Sequence, residues 1–417
     1  MKLIPRVKGT QDILDFSLIN FIYNHFEKHV SLYNFHQIST PIIEHVELFK
    51  RSLGLFTDVV SKEMFIIKSD NHGGDQLCLR PEATAPTMRA FLDLQPLTPW
   101  KVYSWGPMFR YERPQKGRYR QFTQINCEII GSESVSQDVF LIVMLDRFFH
   151  EKLKINSYAL QINFLGSYED RKKYTQVLSE FLNKCEEICA TCKIRRENNI
   201  LRIFDCKNEL CQKIYDTAPK VTDFLSLDSQ REWEQLQTEL SLLSISFSIN
   251  SKLVRGLDYY NKTVFEFVSM QLGAQNAFCA GGRYDRLAQE LGSKESFASL
   301  GAAIGLERLQ LLLEPIKDRL SFPQLPSLMV IMPLSKEQNS LALLIADEMH
   351  AAGICTEALL DNDSLKSKMR RANKMGASFA ILVGEQEQQN NTVQVKNLMN
   401  GEQEQVAQID LIAYFKK

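Results

Sequence analysis

Residues 104–131 read SWGPMFRYERPQKGRYRQFTQINCEIIG, and their pattern decides what the rest of the chain must build. The segment runs strand, basic loop, strand. Arg110 and Glu112 close the first strand, and residues 114–120, PQKGRYR, make a positive loop that hydrophobic collapse does not favour. From Phe122 to Ile130 the pattern has period two. Thr123, Ile125, Cys127 and Ile129 share one face, and Phe122, Gln124, Asn126 and Glu128 share the other. A mostly apolar back with two amides and a carboxylate in front describes a strand that lines a pocket. The adjoining arginines suit that pocket to a polyphosphate beside a small polar ligand. The period alone is equally satisfied by a surface hairpin with one solvated face.

A chain of 417 residues has room for two or three domains, each with its own core. An apolar fraction of 44% and a charged fraction of 24% belong to a water-soluble globular protein. With a net charge of −1, any nucleic-acid contact has to come from local basic patches. No apolar run approaches a membrane span, and the opening MKLIPRVKG lacks the apolar stretch of a signal peptide. Nine cysteines, an odd number, fit a reducing compartment with free thiols, so a cytoplasmic protein is expected.

Helical periodicity marks residues 16–32, 84–94 and 136–153 among strand-like pieces, the composition of an α+β domain on an antiparallel sheet. From about 166 to 244 the chain is rich in Lys, Glu, Gln and Leu and almost free of glycine. It reads as a helical insertion between strand-like residues 158–164 and 245–250. Residues 318–326, DRLSFPQLP, carry the prolines of a linker. Strands and helices then alternate: strands at 328–332, 355–360 and 379–383, helices ending near 352 and spanning 364–375, an α/β pattern on a parallel or mixed sheet. The expected division is a catalytic domain over 1–320 with its insertion, a linker at 321–326, and an α/β domain over 327–417.

The wording of FRYERPQKGRYRQFTQ closely resembles motif 2 of the class II aminoacyl-tRNA synthetases, in the form found in the histidyl-tRNA synthetase family. Six further blocks resemble that family in the same order: residues 7–13 its N-terminal strand, PIIEHVELF at 41–49 its motif 1, LRPEATA at 79–85 its amino-acid loop, LVRGLDYYN at 253–261 and AGGRYD at 280–285 two histidine-specific motifs, and GAAIGLERL at 301–309 its motif 3. The resemblance implies a class II catalytic domain with a helical insertion and a C-terminal anticodon-binding-like α/β domain. The implied activity is that of a histidine–tRNA ligase, which joins histidine to ATP as an adenylate and then transfers it to tRNA. ATP, Mg²⁺ accompanying ATP, L-histidine and histidine tRNA are the implied ligands, and motif 1 implies a homodimer.

Such a reaction needs positioned cations and no covalent nucleophile. By resemblance, Arg110 forks onto the α-phosphate, Arg308 clamps the γ-phosphate, and Arg255 acts in the transition state between the α-phosphate and the histidine carboxylate. Arg110 and Arg255 are thus the catalytic candidates, and both also contact histidine. Glu112 orients Arg110 or contacts adenine, Phe122 stacks on adenine, and Arg118 serves ATP or the tRNA acceptor end. Glu82, Ala83 and Thr84 take the histidine ammonium, and Gln124 bridges ammonium and carboxylate. Glu128, about 13 Å along the strand from Gln124 at strand rise, accepts an imidazole N–H. Tyr259, Tyr260 and Tyr284 complete the slot. Gln115 and Lys116 face the tRNA acceptor end. Arg371, in the basic run Lys366, Lys368, Arg370, Arg371 and Lys374, contacts tRNA phosphate.

Three features stand apart. The family loop is commonly PEGTA, and if its glycine needed a positive φ, Ala83 would strain the loop by about 1 kcal/mol. Cys189, Cys192, Cys206 and Cys211 have a spacing that can close on Zn²⁺, but the second pair is loosely spaced and the resemblance calls for no metal, so none is assigned. A catalytically silent relative, the regulatory subunit of ATP phosphoribosyltransferase, shares the catalytic fold. Such relatives typically lack the C-terminal domain and the RGLDYY arginine, both of which this chain keeps.

Overall fold

The computed structural model describes residues 3–55, 57–68, 76–273, 276–323 and 326–416. The chain forms two compact units, residues 1–321 and 322–417. Of the linker expected at 321–326, Gln324 and Leu325 lie outside the described residues.

The first unit begins with helix α1 (Ser17–Ser31) and strand β1 (His36–Gln37). Strands β2 (Ile43–His45), β3 (Phe65–Ile67) and β4 (Leu77–Leu79) make a small antiparallel sheet in the order β2-β4-β3, with α2 (Val46–Leu53) following β2 and α3 (Thr84–Leu94) following β4. The hairpin that opened the sequence reading is β5 (Trp100–Phe109) and β6 (Gln121–Ile130), paired from Trp100 opposite Ile130 to Phe109 opposite Gln121. After α4 (Val135–Arg147) come β7 (Ala159–Phe164), β8 (Phe247–Ile249), β9 (Asn261–Val268), β10 (Ala277–Arg283) and β11 (Ser299–Gly305). With β1 and the hairpin they form an eight-stranded sheet in the order β1-β5-β6-β11-β10-β9-β7-β8. It is antiparallel except at its two edges, where β1 runs parallel to β5 and β8 parallel to β7. Strands distant in sequence, β6 and β11, are thereby neighbours at the centre.

The apolar face of β6 is sealed, with Ile125, Cys127 and Ile129 at most 1% exposed. Phe149, in the wide turn that prolongs α4, packs edge-on against Phe267 and Phe278 with ring centroids 5.1 and 4.9 Å away. Such pairs add to the area that aromatic rings already bury. Between β7 and β8 lie α5 (Tyr168–Asn183), α6 (Ala190–Asn198), α7 (Glu209–Tyr215) and α8 (Leu227–Leu242), the expected helical insertion. Helix α5 starts sharply because Ser167 and Asp170 close a capping box. The insertion has no separate core: Leu178, Cys192, Ile203 and Tyr215 belong to the same apolar cluster as Phe49, Leu53, Val254 and Tyr259. A short helix α9 (Leu287–Glu290) and α10 (Leu306–Leu313), which follows β11, complete the unit.

One sequence reading of the first unit needs correction. Residues 7–13, expected as a strand, are irregular and mostly exposed. Their anchored point is Gly9, whose carbonyl accepts the backbone N–H of Arg120 at 2.7 Å, so the segment reads the hairpin loop without joining a sheet. Ala83 has φ −116°, a value open to any residue, and the PEATA loop carries no strain of the kind that a positive φ would impose.

The second unit is a five-stranded mixed sheet in the order β13-β12-β14-β15-β16. Strands β12 (Met329–Pro333), β13 (Thr356–Ala358) and β14 (Phe379–Val383) run parallel, joined through α11 (Asn339–Ala351) and α12 (Leu365–Lys374). Strands β15 (Thr392–Asn397) and β16 (Gln403–Ala407) add an antiparallel edge, with the short helices α13 (Glu385–Asn390) and α14 (Leu411–Phe415) beside them. Val330 and Met332 face one apolar cluster, Ile331 and Ile381 the other, which explains the unbroken apolar runs of β12 and β14. Lys368 departs from the basic face expected of α12. It is 4% exposed and its Nζ donates to the Pro333 carbonyl at 2.8 Å, capping the end of β12 from inside. Lys366, Arg370, Arg371 and Lys374 remain exposed, and Arg371 pairs with Asp361 at 2.8 Å.

Arg283, at the end of β10, is an ion clamp in the first unit's core. Its guanidinium meets Asp138 of α4 at 2.7 Å with both side chains 1% exposed, and donates to the carbonyls of Ser132 and Ser134 at 2.9 and 2.7 Å. Removing one partner of a buried pair leaves the other charge unpaired. Arg283→Ala is expected to lower the unfolding free energy by about 3–5 kcal/mol in urea titrations. A loss below about 1 kcal/mol, the range of surface pairs, would show that the pair is not structural.

Candidate active site

The front of β6 forms the floor of a cleft whose walls come from segments widely separated in sequence. Gln124 and Asn126 lie on the floor; Glu82 and Thr84 enter from the start of α3, Arg110, Glu112 and Arg118 from the hairpin loop, and Arg255, Tyr259 and Tyr260 from the segment before β9. Nine residues expected from the sequence, Glu82, Thr84, Arg110, Glu112, Arg118, Gln124, Arg255, Tyr259 and Tyr260, thus share one cavity. Ala83, Phe122, Glu128, Tyr284 and Arg308 are absent from its lining. Gln115 and Lys116 stand exposed on the hairpin loop, and Arg371 belongs to the other unit.

Each arginine is aimed by a partner from another segment. Arg110 Nε donates to the Pro81 carbonyl at 2.8 Å, and the Arg110 guanidinium lies 5.3 Å from the Phe122 ring centroid. Arg308 Nε donates to the Gly117 carbonyl at 3.3 Å, while its Nη1 bonds the Ala277 carbonyl. Gly117 has φ +71°, a conformation that glycine alone adopts cheaply, and it lets the loop present that carbonyl. Arg255 bonds Glu266 of β9, and its Nε is buried without a partner. Burial pushes the pKa values of Arg110, Arg118 and Arg308 down, and the mutual repulsion of these three lowers that of Arg308 further. For Arg255 burial acts the same way and is the largest single influence, but the Glu266 carboxylate together with Tyr260 and Tyr259 outweighs it and holds the pKa above its ordinary value. Cations crowded in a poorly solvated cleft favour an incoming polyanion.

Glu112 does not bond Arg110, the first of the two roles expected of it. It pairs with Arg118 across the loop and leaves Arg110 to the Pro81 carbonyl. The reason is the loop itself, where Gln115 and Arg118 bridge and fold Arg118 back over Glu112.

The carboxylates at the other end are already engaged. Glu82 accepts the backbone N–H of Thr84 at 2.8 Å and of Ala85 at 2.9 Å, so it caps α3 while facing the cleft. Glu128 lies just behind the lining, 2% exposed, and its two oxygens accept the hydroxyls of Thr84 at 2.7 Å and Tyr284 at 2.5 Å. Beneath it, a Cβ at Gly301 would come within 1.5 Å of the carboxylate, so no other residue fits there. Tyr259 packs against Tyr260 and Tyr284, with centroids 4.5 and 5.6 Å away.

Four charged or amide-bearing lining residues carried no role in the sequence reading. Asn126 was on the correct face of β6; it is fully buried, and neither polar atom of its amide has a partner. Glu63 precedes β3, and Asp58 and Arg202 pair at 3.1 Å. Arg202 comes from the insertion, where no local pattern distinguishes it from other surface-type arginines.

A profile of histidyl-tRNA synthetases matches residues 15–309. The chain belongs to the histidyl-tRNA synthetase family. An anticodon-binding-domain profile matches residues 329–417 of the second unit. The histidine–tRNA ligase of Syntrophotalea carbinolica is 39% identical over 412 residues, 97% of this chain and 96% of its own. That of Aquifex aeolicus is 41% identical over 411 residues, 97% of this chain and 98% of its own. The crystal structure of apo S. aureus histidyl-tRNA synthetase superposes with a TM-score of 0.79 at 32% identity, covering 100% of each chain. The fold is therefore the class II catalytic domain with a C-terminal α/β anticodon-binding domain.

Burial raises the Glu128 pKa from 4.5 to about 8, against the pull of its Tyr284 and Thr84 hydrogen bonds and with a smaller push from Glu82. The folded state therefore holds this proton more tightly than the unfolded chain. The associated stability is complete below pH 4.5 and is lost as pH rises through about 8. The unfolding free energy of the native protein minus that of Glu128→Gln should fall across that window and level off above it. A difference independent of pH would refute the burial of an ionisable carboxyl here.

Proposed function

We propose that the chain is a histidine–tRNA ligase that uses the β6 cleft to form histidyl-adenylate from L-histidine and ATP, and then transfers histidine to tRNA. The observation that carries this reading is the convergence of Arg110, Arg118 and Arg255 on a floor of amides beside a tyrosine and carboxylate slot. One end suits phosphates, the other a small ligand with an amine and a polar ring.

In the first step a carboxylate oxygen of histidine attacks the α-phosphorus, and the bond to the bridging oxygen breaks as pyrophosphate leaves. Arg110 and Arg255 offset the charge that builds on the α-phosphate, Arg255 with its unpartnered Nε. Arg308 and Arg118 hold the outer phosphates, while Phe122 and Glu112 flank the adenine. Mg²⁺ bound to ATP keeps most of its shell as phosphate and water oxygens and needs few protein carboxylates. Glu63, which lines the cleft near Arg110 and Arg118, suits that use. Glu82 and the Thr84 hydroxyl accept from the histidine ammonium, and Gln124 bridges it to the carboxylate. Glu128 accepts an imidazole N–H with lone pairs that Thr84 and Tyr284 leave free, and Tyr259 and Tyr260 wall the ring. In the second step a terminal ribose hydroxyl of tRNA attacks the carbonyl carbon and AMP departs. Gln115 and Lys116 guide the acceptor end, and the exposed arginines and lysines of α12 contact phosphates further away.

The protein acts as a cytoplasmic homodimer in this reading. Ile42, Ile43 and Ile66, on or beside the small β2-β4-β3 sheet, are 41%, 52% and 47% exposed, a patch that a second copy can cover. No described helix is long and apolar enough to cross a membrane. A silent regulatory relative has no use for Arg255 poised on the cleft, which favours the ligase.

Pyrophosphate exchange into ATP should depend on histidine alone among the twenty amino acids. Arg255→Ala should slow that exchange by about 10²–10⁴-fold, with histidine affinity changed far less. Exchange near the native rate in this variant would remove Arg255 from the chemistry. Replacing Lys366, Arg370 and Lys374 together by alanine should leave exchange intact but weaken tRNA binding and flatten its salt dependence. An unchanged salt slope would mean that α12 does not meet the nucleic acid.

A further inference from the structure

Within the helical insertion, Cys189 at the start of α6, Cys192 inside it, Cys206 after the turn Ile200–Asp205, and Cys211 in α7 converge. Their four sulfur atoms all lie within 4.8 Å of one another, and those of Cys189 and Cys206 are 3.8 Å apart. A tetrahedral tetrathiolate with Zn–S bonds of about 2.3 Å spaces its sulfurs about 3.8 Å apart. Two backbone amides point at the cluster: the Cys189 N–H donates to Cys211 Sγ at 3.3 Å and the Asn208 N–H to Cys206 Sγ at 3.4 Å. Amide donors on sulfur favour the thiolate over the thiol. Cysteines that merely fill a core have no reason to gather. Cys78, Cys127 and Cys279 are also buried here, yet they belong to no such cluster.

We propose that Cys189, Cys192, Cys206 and Cys211 bind one Zn²⁺ as a structural tetrathiolate site. All four positions are taken by protein sulfur, so the metal is closed to substrate and its work is to fix the fold of the insertion. The segment that it fixes reaches the catalytic cleft. Between the two cysteine pairs, Asn199 donates to Asp258 of the RGLD motif, and Arg202 pairs with Asp58 on the cleft wall. Residues 199–205 turn Leu201, Ile203 and Phe204 inward, while the polar side chains of Asn199 and Arg202 reach toward Asp258 and Asp58. A metal that ties α6 to α7 holds both ends of this segment and so keeps Arg202 in place. Arg202 is a positioning residue in this scheme, and the metal acts through it.

The test uses the full-length protein, purified under reducing conditions without a metal-affinity step and analysed by mass spectrometry of its metals. About one zinc per chain is expected. Substitution with Co²⁺ should give thiolate-to-cobalt charge-transfer bands together with tetrahedral ligand-field bands. Cys206→Ser and Cys211→Ser should lose the metal, while Cys355→Ser, in the second unit, should keep it. Stripping the native protein with a chelator should make four further thiols reactive to Ellman's reagent, lower the melting temperature, and raise the KM for ATP or histidine more than it lowers kcat. If the serine variants do not fold, the metal content and cobalt spectrum of the native chain still decide the matter. Protein that purifies without metal after growth in zinc-replete medium, with its four thiols free or joined in disulfides, overturns the proposal. A stoichiometric iron content overturns the choice of zinc.

Discussion

The carboxylate of Glu128 is the point at which the catalytic unit is joined. It rises from the central strand β6, takes the hydroxyl of Thr84 from the start of α3 and that of Tyr284 from just beyond β10, and rests on the bare backbone of Gly301 in β11. Four segments between residues 84 and 301 meet on two oxygen atoms. An ionised carboxylate in such a place is expensive unless its lone pairs are used. Here each oxygen has a donor, yet burial still raises its proton affinity. The floor of the cleft is consequently rigid: moving β6, α3 or the AGGRYD segment alone would strand a buried polar group.

The opposite end of the cleft is organised by like charges. Beyond burial, Arg255 lowers the pKa of Arg110, Arg110 that of Arg118, and both Arg110 and Arg118 that of Arg308; Arg110 and Arg308 are held by backbone carbonyls from other stretches of chain, Arg118 by Glu112 of its own loop. Neutral acceptors orient a guanidinium without cancelling its charge. That distinction separates Arg110 and Arg308, bonded to carbonyls, from Arg283, whose charge is consumed by Asp138. A chain with a net charge of −1 thus concentrates positive potential at one end of the cleft.

The insertion is part of the active unit and not an appendage. Its helices share one apolar cluster with α2 and the tyrosine segment, and its Arg202 stands on the cleft wall. Of the lining residues without a role in the sequence reading, Asp58, Glu63 and Arg202 lie on the insertion or beside the small sheet. Their neighbours in sequence say nothing of this placement.

Local pattern determined much of the protein. Period-two alternation identified β6 and its two faces, helical spacing gave α1 and α3, and the alternation of strand-like and helical stretches gave the α/β pattern of the second unit, because those signals depend only on which side of an element meets water. The wording of the motifs named the nine residues that share the cleft. Tertiary structure decided what depends on distance between remote segments. Glu112 faces Arg118 because the loop folds back, Lys368 turns inward to cap β12, and Glu128 stands behind the cleft with one hydroxyl already donating to each oxygen. Four cysteines with an irregular spacing become a single cluster once α6 and α7 are brought together. Charge partners, burial and ligand geometry are pairwise properties of atoms in space, and a one-dimensional pattern supplies only one member of each pair.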